Sequence, residues 1–135
     1  MTVVDSSAVI DLLLGGEVVA EVSALLARED EISAPDLLVF EVLSALRRET
    51  FRGTVPEGRA ATALEDLGDL RITLLPSLGL RHRAWELRAN LTASDALFVA
   101  LAEELGERLA TKDRGLTTAA RRHTGVEVLE LGATS

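Results

Sequence analysis

Short strand-like runs alternate with helical segments along the whole chain, and this alternation limits its fold more than any other sequence feature. Each run is only a few residues long and rich in apolar or β-branched side chains. Strands separated by helices pair in parallel, because right-handed crossovers return the chain to the same edge of the sheet. The sequence therefore predicts an α/β fold, a mostly parallel five-stranded sheet with helices on both faces. The predicted strands are Thr2–Val4, Glu31–Ala34, Arg71–Leu75, Arg108–Thr111 and Val126–Leu131.

The segments between these strands have apolar residues at helical spacing. Gly15-Gly16 and Gly53 are stop signals, whereas Pro35 and Pro56 are predicted to stand in the first turns of helices. No linker or internal repeat is visible, so we predict one domain over residues 1–131 and a short flexible tail over 132–135. The predicted helices cover about 6–14, 17–28, 35–52, 56–67, 78–91, 92–106 and 113–123.

The composition excludes several classes of protein. The 135 residues include 14 Lys and Arg against 22 Asp and Glu, a formal net charge of −8, which excludes polybasic binding of nucleic acid but not a local basic patch. Because there is no cysteine, disulfides, thiolate metal ligands and a cysteine nucleophile are excluded. The longest purely apolar run, Ala96 to Ala102, is far shorter than the roughly 20 residues of a membrane span. We expect a soluble, cytoplasmic protein.

Two predicted strands are followed by an aspartate. Asp5 comes directly after Val4, and Asp113 comes after the run Leu109 to Lys112. Reactive groups of parallel sheets collect beyond the carboxyl ends of the strands, so both carboxylates reach one crevice if these strands are neighbours. The alternative is that each aspartate only caps the helix that follows it.

Two further acids stand at the border of apolar helix faces. Glu41 has Leu37 and Leu38 one turn before it, and Asp95 is followed by the apolar run 96–102. A lone buried carboxylate costs several kcal/mol unless it is paired or bound to a metal. The alternatives are a salt bridge or a tilt toward water for Glu41, and a capping box for Asp95.

Four clustered acids would repel one another, and a cation is needed to make such a cluster stable. An all-oxygen site suits Mg²⁺, with Mn²⁺ as the alternative, because these ions take a few carboxylates and keep several waters. Such a site supports phosphodiester hydrolysis, in which metal ions activate a water and stabilise charge on the scissile phosphate.

Four motifs follow one another along the chain: Asp5-Ser6-Ser7, Ala34-Pro35 with Glu41-Val42, Ser94 to Glu103, and Leu109 to Asp113. In order and spacing they are similar to the PIN-domain family, most of all to its VapC-type toxins, over residues 2–131. The resemblance implies a PIN-like three-layer fold and a magnesium-dependent endoribonuclease toxin that cuts structured cellular RNA, such as a tRNA or rRNA loop. It also implies a homodimer and neutralisation by a cognate VapB-type antitoxin.

The acids that match the family's four acidic positions are expected to take different roles. Asp5 and Asp95 would bind Mg²⁺ directly, and Asp113 directly or through water. Glu41 would orient the attacking water. Some relatives have another acid two residues after the last aspartate, where this chain has Gly115, so the number of metal ions stays open. The small hydroxyl residues of the family's site are matched by Ser7 and Thr111.

RNA binding by so acidic a chain would depend on local arginines. The candidates are Arg47 and Arg48, on the helix of Glu41, and Arg114; for each the alternative is a solvated helix face. With one tryptophan, three phenylalanines and no tyrosine, stacking of bases on aromatic rings is not expected to be the main contact. Trp85 is interpreted as a core or dimer-interface residue rather than as a platform on which a base stacks.

Other functions remain as alternatives. A phosphoacceptor receiver domain has adjacent acids after its first strand, which this chain lacks. A haloacid-dehalogenase-type phosphatase has an acid at the position of Ser7, so this chain departs from that pattern as well. The alternative from another class is a non-catalytic PIN-like binding module.

Residues 8–26 carry more large apolar side chains than a small domain is expected to bury. They predict a groove for an antitoxin segment, unless they only pack on the sheet.

Overall fold

The predicted strands form one parallel sheet in the computed structural model, which describes residues 1–29 and 31–132. They are β1 (Thr2–Val4), β2 (Ile32–Pro35), β3 (Ile72–Leu75), β4 (Arg108–Thr111) and β5 (Val128–Glu130). Their order across the sheet is β3-β2-β1-β4-β5, so β1 is central, with β2 on one side and β4 on the other. Val3 pairs with Leu109, and this register brings the carboxyl ends of β1 and β4 side by side. The predicted α/β class is confirmed.

Seven helices in the described residues flank this sheet. The first helix ends at Gly15 and the third helix at Gly53, as these stop signals predict. Both glycines adopt the left-handed conformation, with φ of 73° and 78°. None of the described helices is long and apolar enough to cross a membrane. Of the tail predicted over 132–135, only Gly132 lies within the described residues. The helices are α1 (Ser6–Leu14), α2 (Val19–Arg28), α3 (Leu37–Arg52), α4 (Glu57–Asp69), α5 (Arg81–Glu86), α6 (Ala93–Leu105) and α7 (Arg114–His123).

The position predicted for Pro35 is wrong. Pro35 does not begin α3 but is the last residue of β2, where it pairs with Leu75, and α3 begins at Leu37. The pairing of β2 with the central strand is confined to Ile32 and Ser33. Pro35 therefore lies beyond that ladder, where its missing amide hydrogen interrupts no bond to β1.

The single helix predicted over 78–91 is broken into a short 3-10 helix, Leu78–Leu80, followed by α5 and turns. Thr92 has an extended backbone, with φ −63° and ψ 161°, because it caps α6. A helix cannot continue into a residue of that conformation, so α6 is a separate helix, and turns connect it with α5, which ends at Glu86. Trp85 is 67% exposed, which rules out the core interpretation of this residue.

The core is centred on β1, β4 and the apolar helix α6. Val3 and Leu109 are fully buried in the sheet, and Phe98 is among the largest side chains with no solvent exposure. A helix that is apolar on most sides is expected in the interior, and α6 packs against β1, β2 and β4. Its buried residues are Ala96, Phe98, Val99, Ala100, Leu101 and Ala102.

Most of the apolar side chains in residues 8–26 pack against the core. The structure describes all of this segment, and its large apolar side chains are buried or half-buried, among them Val9, Val22 and Leu25. Leu12, Leu13 and Leu26 also line a groove on the surface, where the sequence predicts an antitoxin segment. Much of the exposed apolar surface lies instead on α3, at Val39, Phe40, Leu43 and Phe51.

Candidate functional site

A crevice of about 280 Å³ lies beyond the carboxyl ends of β1 and β4. All four predicted acids line it, although they come from distant parts of the sequence. Asp5 follows β1, Glu41 belongs to α3, Asp95 to α6, and Asp113 follows β4. We call this cavity the acidic crevice. Its other lining residues are Ser6, Ser7, Ile10, Phe40, Ser44, Ala45 and Arg48.

Asp5 is buried at the first turn of α1. Its Oδ2 accepts hydrogen bonds from Ser7 Oγ at 2.6 Å, from Thr111 Oγ1 at 2.9 Å and from the backbone N–H of Ser7 at 3.3 Å. Burial raises the pKa of Asp5 even though these hydrogen bonds oppose the shift. Because all three donors bind Oδ2, Oδ1 accepts no hydrogen bond from the described residues and is available to a cation.

Glu41 is oriented by two serine hydroxyls. Ser6 Oγ donates to Glu41 Oε1 at 2.7 Å, and Ser94 Oγ donates to Oε2 at 2.5 Å. The salt bridge considered from the sequence is not observed with any described residue. Sequence reasoning missed the role of these serines, although each adjoins a predicted acid. The carboxylate is therefore fixed between α1 and α6 rather than turned toward water.

Asp95 is half-buried, and its carboxylate accepts no hydrogen bond from the described residues. Its backbone N–H donates to Thr92 Oγ1 at 3.1 Å, so Thr92 caps α6 and the reciprocal half of a capping box is not formed. Burial, and then the charges of Asp5, Asp113 and Glu41, raise the pKa of Asp95 to about 6, against a smaller opposing effect of the Thr92 hydroxyl. A crowded carboxylate with so little support for its charge fits the role of a cation ligand.

Thr111 connects Asp5 with Asp113. Its Oγ1 donates to Asp5 and accepts the backbone N–H of Asp113 at 3.0 Å. Asp113 in turn caps α7 by accepting the backbone N–H of Leu116 at 3.0 Å. Asp5 and Asp113 therefore do both things that the sequence left as alternatives, because each caps a helix and lines the crevice.

The donors of the acidic crevice are carboxylate oxygens, which fit Mg²⁺ or Mn²⁺. Within the described residues, no three His, Asp or Glu side chains are close enough to enclose a metal ion by themselves. Water would have to complete the coordination, which is the usual situation for Mg²⁺ in proteins. Asp5 and Asp95 are the acids best suited to direct contact, because each has an oxygen without a hydrogen-bond donor.

An ion pair behind the crevice is a feature that the sequence did not predict. Lys112 Nζ donates to Asp11 Oδ1 at 2.5 Å, and Asp11 Oδ2 accepts the backbone N–H of Val18 at 2.7 Å. Burial acts to raise the pKa of Asp11, but the hydrogen bonds from Lys112 and Val18 outweigh it, and the pKa is lowered. The backbone N–H of Lys112 also donates to Ser7 Oγ at 3.1 Å, which connects this pair to the site.

Of the three arginines predicted to bind RNA, only Arg48 lines the acidic crevice. The guanidinium of Arg47 lies over the ring of Phe51, 4.6 Å from its centroid. Arg114 is exposed at the first residue of α7. The structure thus places a single predicted arginine at the acids.

Comparisons with known proteins agree with the motifs and the fold. The family model described as PIN domain matches residues 2–122. A protein named VapC ribonuclease from Mycobacterium bovis is 36% identical over 129 residues, covering 96% of this chain and 98% of its own length. Ribonuclease VapC1 of Mycobacterium tuberculosis is 42% identical over 118 residues, covering 87% and 89% respectively. The crystal structure of VapBC2 from Rickettsia felis bound to promoter DNA has a TM-score of 0.71 at 12% identity, covering 96% of this chain and 98% of that chain, and shares the fold.

Proposed function

This chain belongs to the VapC group of the PIN-domain family, and from that premise we propose that it is a Mg²⁺-dependent endoribonuclease toxin neutralised by an antitoxin. The observation that carries the proposal is the convergence of Asp5, Glu41, Asp95 and Asp113 on one crevice. Acids that served only the fold would be better separated, because their mutual repulsion destabilises the folded chain. Their grouping is explained if a cation binds between them.

The acids divide into metal ligands and a residue that orients water. Asp5 and Asp95 would hold Mg²⁺ directly, and Asp113 would hold it directly or through water. When bound, Mg²⁺ stabilises charge on the scissile phosphate and promotes ionisation of the attacking water. Glu41 orients that water, because two serine hydroxyls hold its carboxylate in one position. Asp95, with a pKa near 6, stays ionised at neutral pH more fully when a cation is its neighbour.

The proposed substrate is a single-stranded loop of structured cellular RNA, such as a tRNA or rRNA loop. The acids lie in a crevice of about 280 Å³, where a phosphate of an unpaired strand can approach them. Proteins that recognise RNA sequence mostly bind unpaired loops, whose bases are accessible. Arg48 is the cation within the crevice and is placed to contact a phosphate next to the scissile bond.

The proposed partners are a cognate VapB-type antitoxin and a second copy of the chain, in the cytoplasm. A groove of about 420 Å³ runs between α1, α2 and α4, with leucines as its floor and Asp66 and Asp69 at its edge. An amphipathic antitoxin segment with basic side chains beside its apolar face fits such a groove. The floor consists of Leu12, Leu13, Leu26 and Leu70.

Cleavage by wild type and by Asp95→Asn tests the proposed function. Both proteins are incubated with a structured RNA in Mg²⁺, in Mn²⁺ and in EDTA. We expect wild type to cut only with a divalent cation, and the nearly isosteric variant to lose cleavage by about 100-fold with its circular dichroism unchanged. Wild-type rates in the variant would contradict the assignment of Asp95. A wild-type protein that binds RNA without metal-dependent cleavage would instead be a non-catalytic PIN-like binding module.

A further inference from the structure

A second cavity, of about 420 Å³, lies on the far side of the first turn of α6. Its floor is apolar, formed by Leu91, Leu97 and other small or aliphatic side chains. Its charged lining residues are two arginines, Arg81 and Arg88, and no acid lines it. We call it the Trp85 pocket, after the ring that forms its wall. In a chain with a net charge of −8, an apolar cavity bordered only by cations marks a site for an anionic ligand.

The ring of Trp85 is presented as a flat surface. It is 67% exposed, and the guanidinium of Arg88 lies over it, 4.4 Å from the ring centroid. Arg88 also donates to the backbone carbonyl of Trp85 at 2.9 Å, which holds the two planes together. Neither Arg81 nor Arg88 forms an ion pair with an acid in the described residues. A stacked indole and guanidinium beside unpaired positive charge match the two parts of a nucleotide, its aromatic base and its phosphate.

The Trp85 pocket shares a structural element with the acidic crevice. Thr92 and Ala93 line the pocket, and the next two residues, Ser94 and Asp95, reach the crevice. The two cavities therefore border the same first turn of α6, on different sides of it. One RNA strand that crosses the amino end of α6 can reach both cavities.

We propose that the Trp85 pocket binds one unpaired base of the RNA substrate, stacked on Trp85, with Arg81 and Arg88 contacting the adjoining phosphates. The inference rests on the proposed ribonuclease function and adds a base-binding subsite to it. A single aromatic platform is consistent with a chain that has few aromatic residues, because the remaining contacts are made by charge. The bound base positions its neighbouring phosphodiester at the acidic crevice.

Intrinsic fluorescence tests this directly, because Trp85 is the only tryptophan of the chain. Full-length protein in EDTA, which prevents cleavage, is titrated with an eight-nucleotide oligouridylate and separately with inorganic polyphosphate. We expect saturable quenching by the oligonucleotide and little quenching by polyphosphate, which has charge but no bases. Binding of a labelled oligonucleotide, detected by anisotropy without any change in Trp85 fluorescence, would overturn the proposal.

Variants separate stacking from a general loss of structure. Trp85→Ala should weaken oligonucleotide binding by about fivefold or more, and Trp85→Phe should restore part of the affinity. Leu78→Ala is the matched control, because Leu78 is 73% exposed in the same segment but does not line the pocket. Equal losses in Leu78→Ala and Trp85→Ala would contradict a specific subsite.

The remaining outcomes distinguish this proposal from the proposed function and from a dimer interface. In cleavage assays Trp85→Ala should raise KM with kcat nearly unchanged; an unchanged KM refutes the subsite but leaves the ribonuclease function intact. RNA binding through Trp85 without cleavage refutes only the function. If sedimentation shows that Trp85→Ala converts a dimer to monomers while affinity for RNA is unchanged, Trp85 belongs to a contact between copies and the proposal is wrong.

Discussion

Asp95 is an acid whose negative charge is disfavoured by its surroundings. Its pKa is raised from 3.8 to about 6, first by burial and then by Asp5, Asp113 and Glu41. The folded chain therefore binds a proton at this site more readily than the unfolded chain between these two values. The resulting contribution to stability is fully present below about pH 4 and is lost as the pH rises through about 6. At neutral pH without metal, the ionised side chain is destabilising.

Replacing Asp95 by asparagine should remove this penalty. In EDTA at pH 7 we expect Asp95→Asn to melt at the same temperature as wild type or higher, because the substitution removes repulsion while the asparagine oxygen can still accept from the Thr92 hydroxyl. The difference should shrink as the pH is lowered from 7 to 4. Thermal unfolding followed by circular dichroism at four pH values measures it. A variant that melts far below wild type at pH 7 would show that Asp95 stabilises α6.

Glu41 offers a residue-level test of orientation, because its two donors can be removed separately. Ser94→Ala and Ser6→Ala each remove one hydroxyl, so the carboxylate gains freedom and kcat should fall roughly three- to tenfold with KM less affected. Ser44→Ala is the control, since Ser44 lines the same crevice without a hydrogen bond to the four acids in the described structure. Comparable losses of kcat in all three variants would mean that the hydroxyls act on substrate binding instead.

Secondary-structure elements were predictable where local signals agree with the tertiary structure. The strand-ending acids and the glycine stops could be found because they act within a few residues of the chain. The start of a new helix at Thr92 was predicted, but the early end of α5 at Glu86 was not, because Leu87 and Leu91 in the turns that follow keep the apolar spacing of a helix. Pro35 was misplaced because a first-turn proline and a strand-end proline have the same sequence signal. A contact between distant elements, such as the hydrogen bond from Ser94 to Glu41, leaves no periodic pattern in the sequence and could not be predicted from it.

The ion pair of Asp11 and Lys112 connects α1, the start of α2 and the end of β4. A side chain at Gly16 would not fit beside it, because its Cβ would collide with the carboxylate of Asp11. Lys112→Met should lower the free energy of unfolding at pH 7 by about 1–2 kcal/mol, less than for a fully buried pair, because Lys112 is 37% exposed. Chemical denaturation measures this loss.

The pH dependence of unfolding is the control for the predicted effect of Lys112→Met. Because the pKa of Asp11 is lowered in the folded chain, the stability from its ionised form is present above about pH 4 and is lost as the pH falls further. The difference between wild type and Lys112→Met should therefore diminish in acid. The double variant Asp11→Asn with Lys112→Met should recover part of the loss, because no buried charge is then left without a partner. A constant difference at every pH would indicate that Lys112 acts through packing alone.

At the scale of the whole molecule, net charge and local charge act in opposite directions on RNA. A net charge of −8 slows the approach of phosphate, whereas Arg48 offers a cation within the acidic crevice. Arg48→Ala should raise KM roughly threefold or more and lower the slope of log affinity against log salt by about 0.7, the value for one phosphate contact with a single strand. Arg47→Ala should change both less, because Arg47 packs on Phe51 outside the crevice.

Arg28 is the matched control for this prediction, because it lies near the amino ends of the strands, away from the acids. It is an exposed arginine at the end of α2, which leads into the amino end of β2, whereas the acids lie beyond the carboxyl ends of the strands. Its removal changes the net charge as much as removal of Arg48 does. Nonspecific attraction would therefore fall equally in both variants, and only a contact at the crevice separates them. If Arg28→Ala weakens RNA binding and reduces its salt dependence as much as Arg48→Ala does, the RNA does not pass over α3.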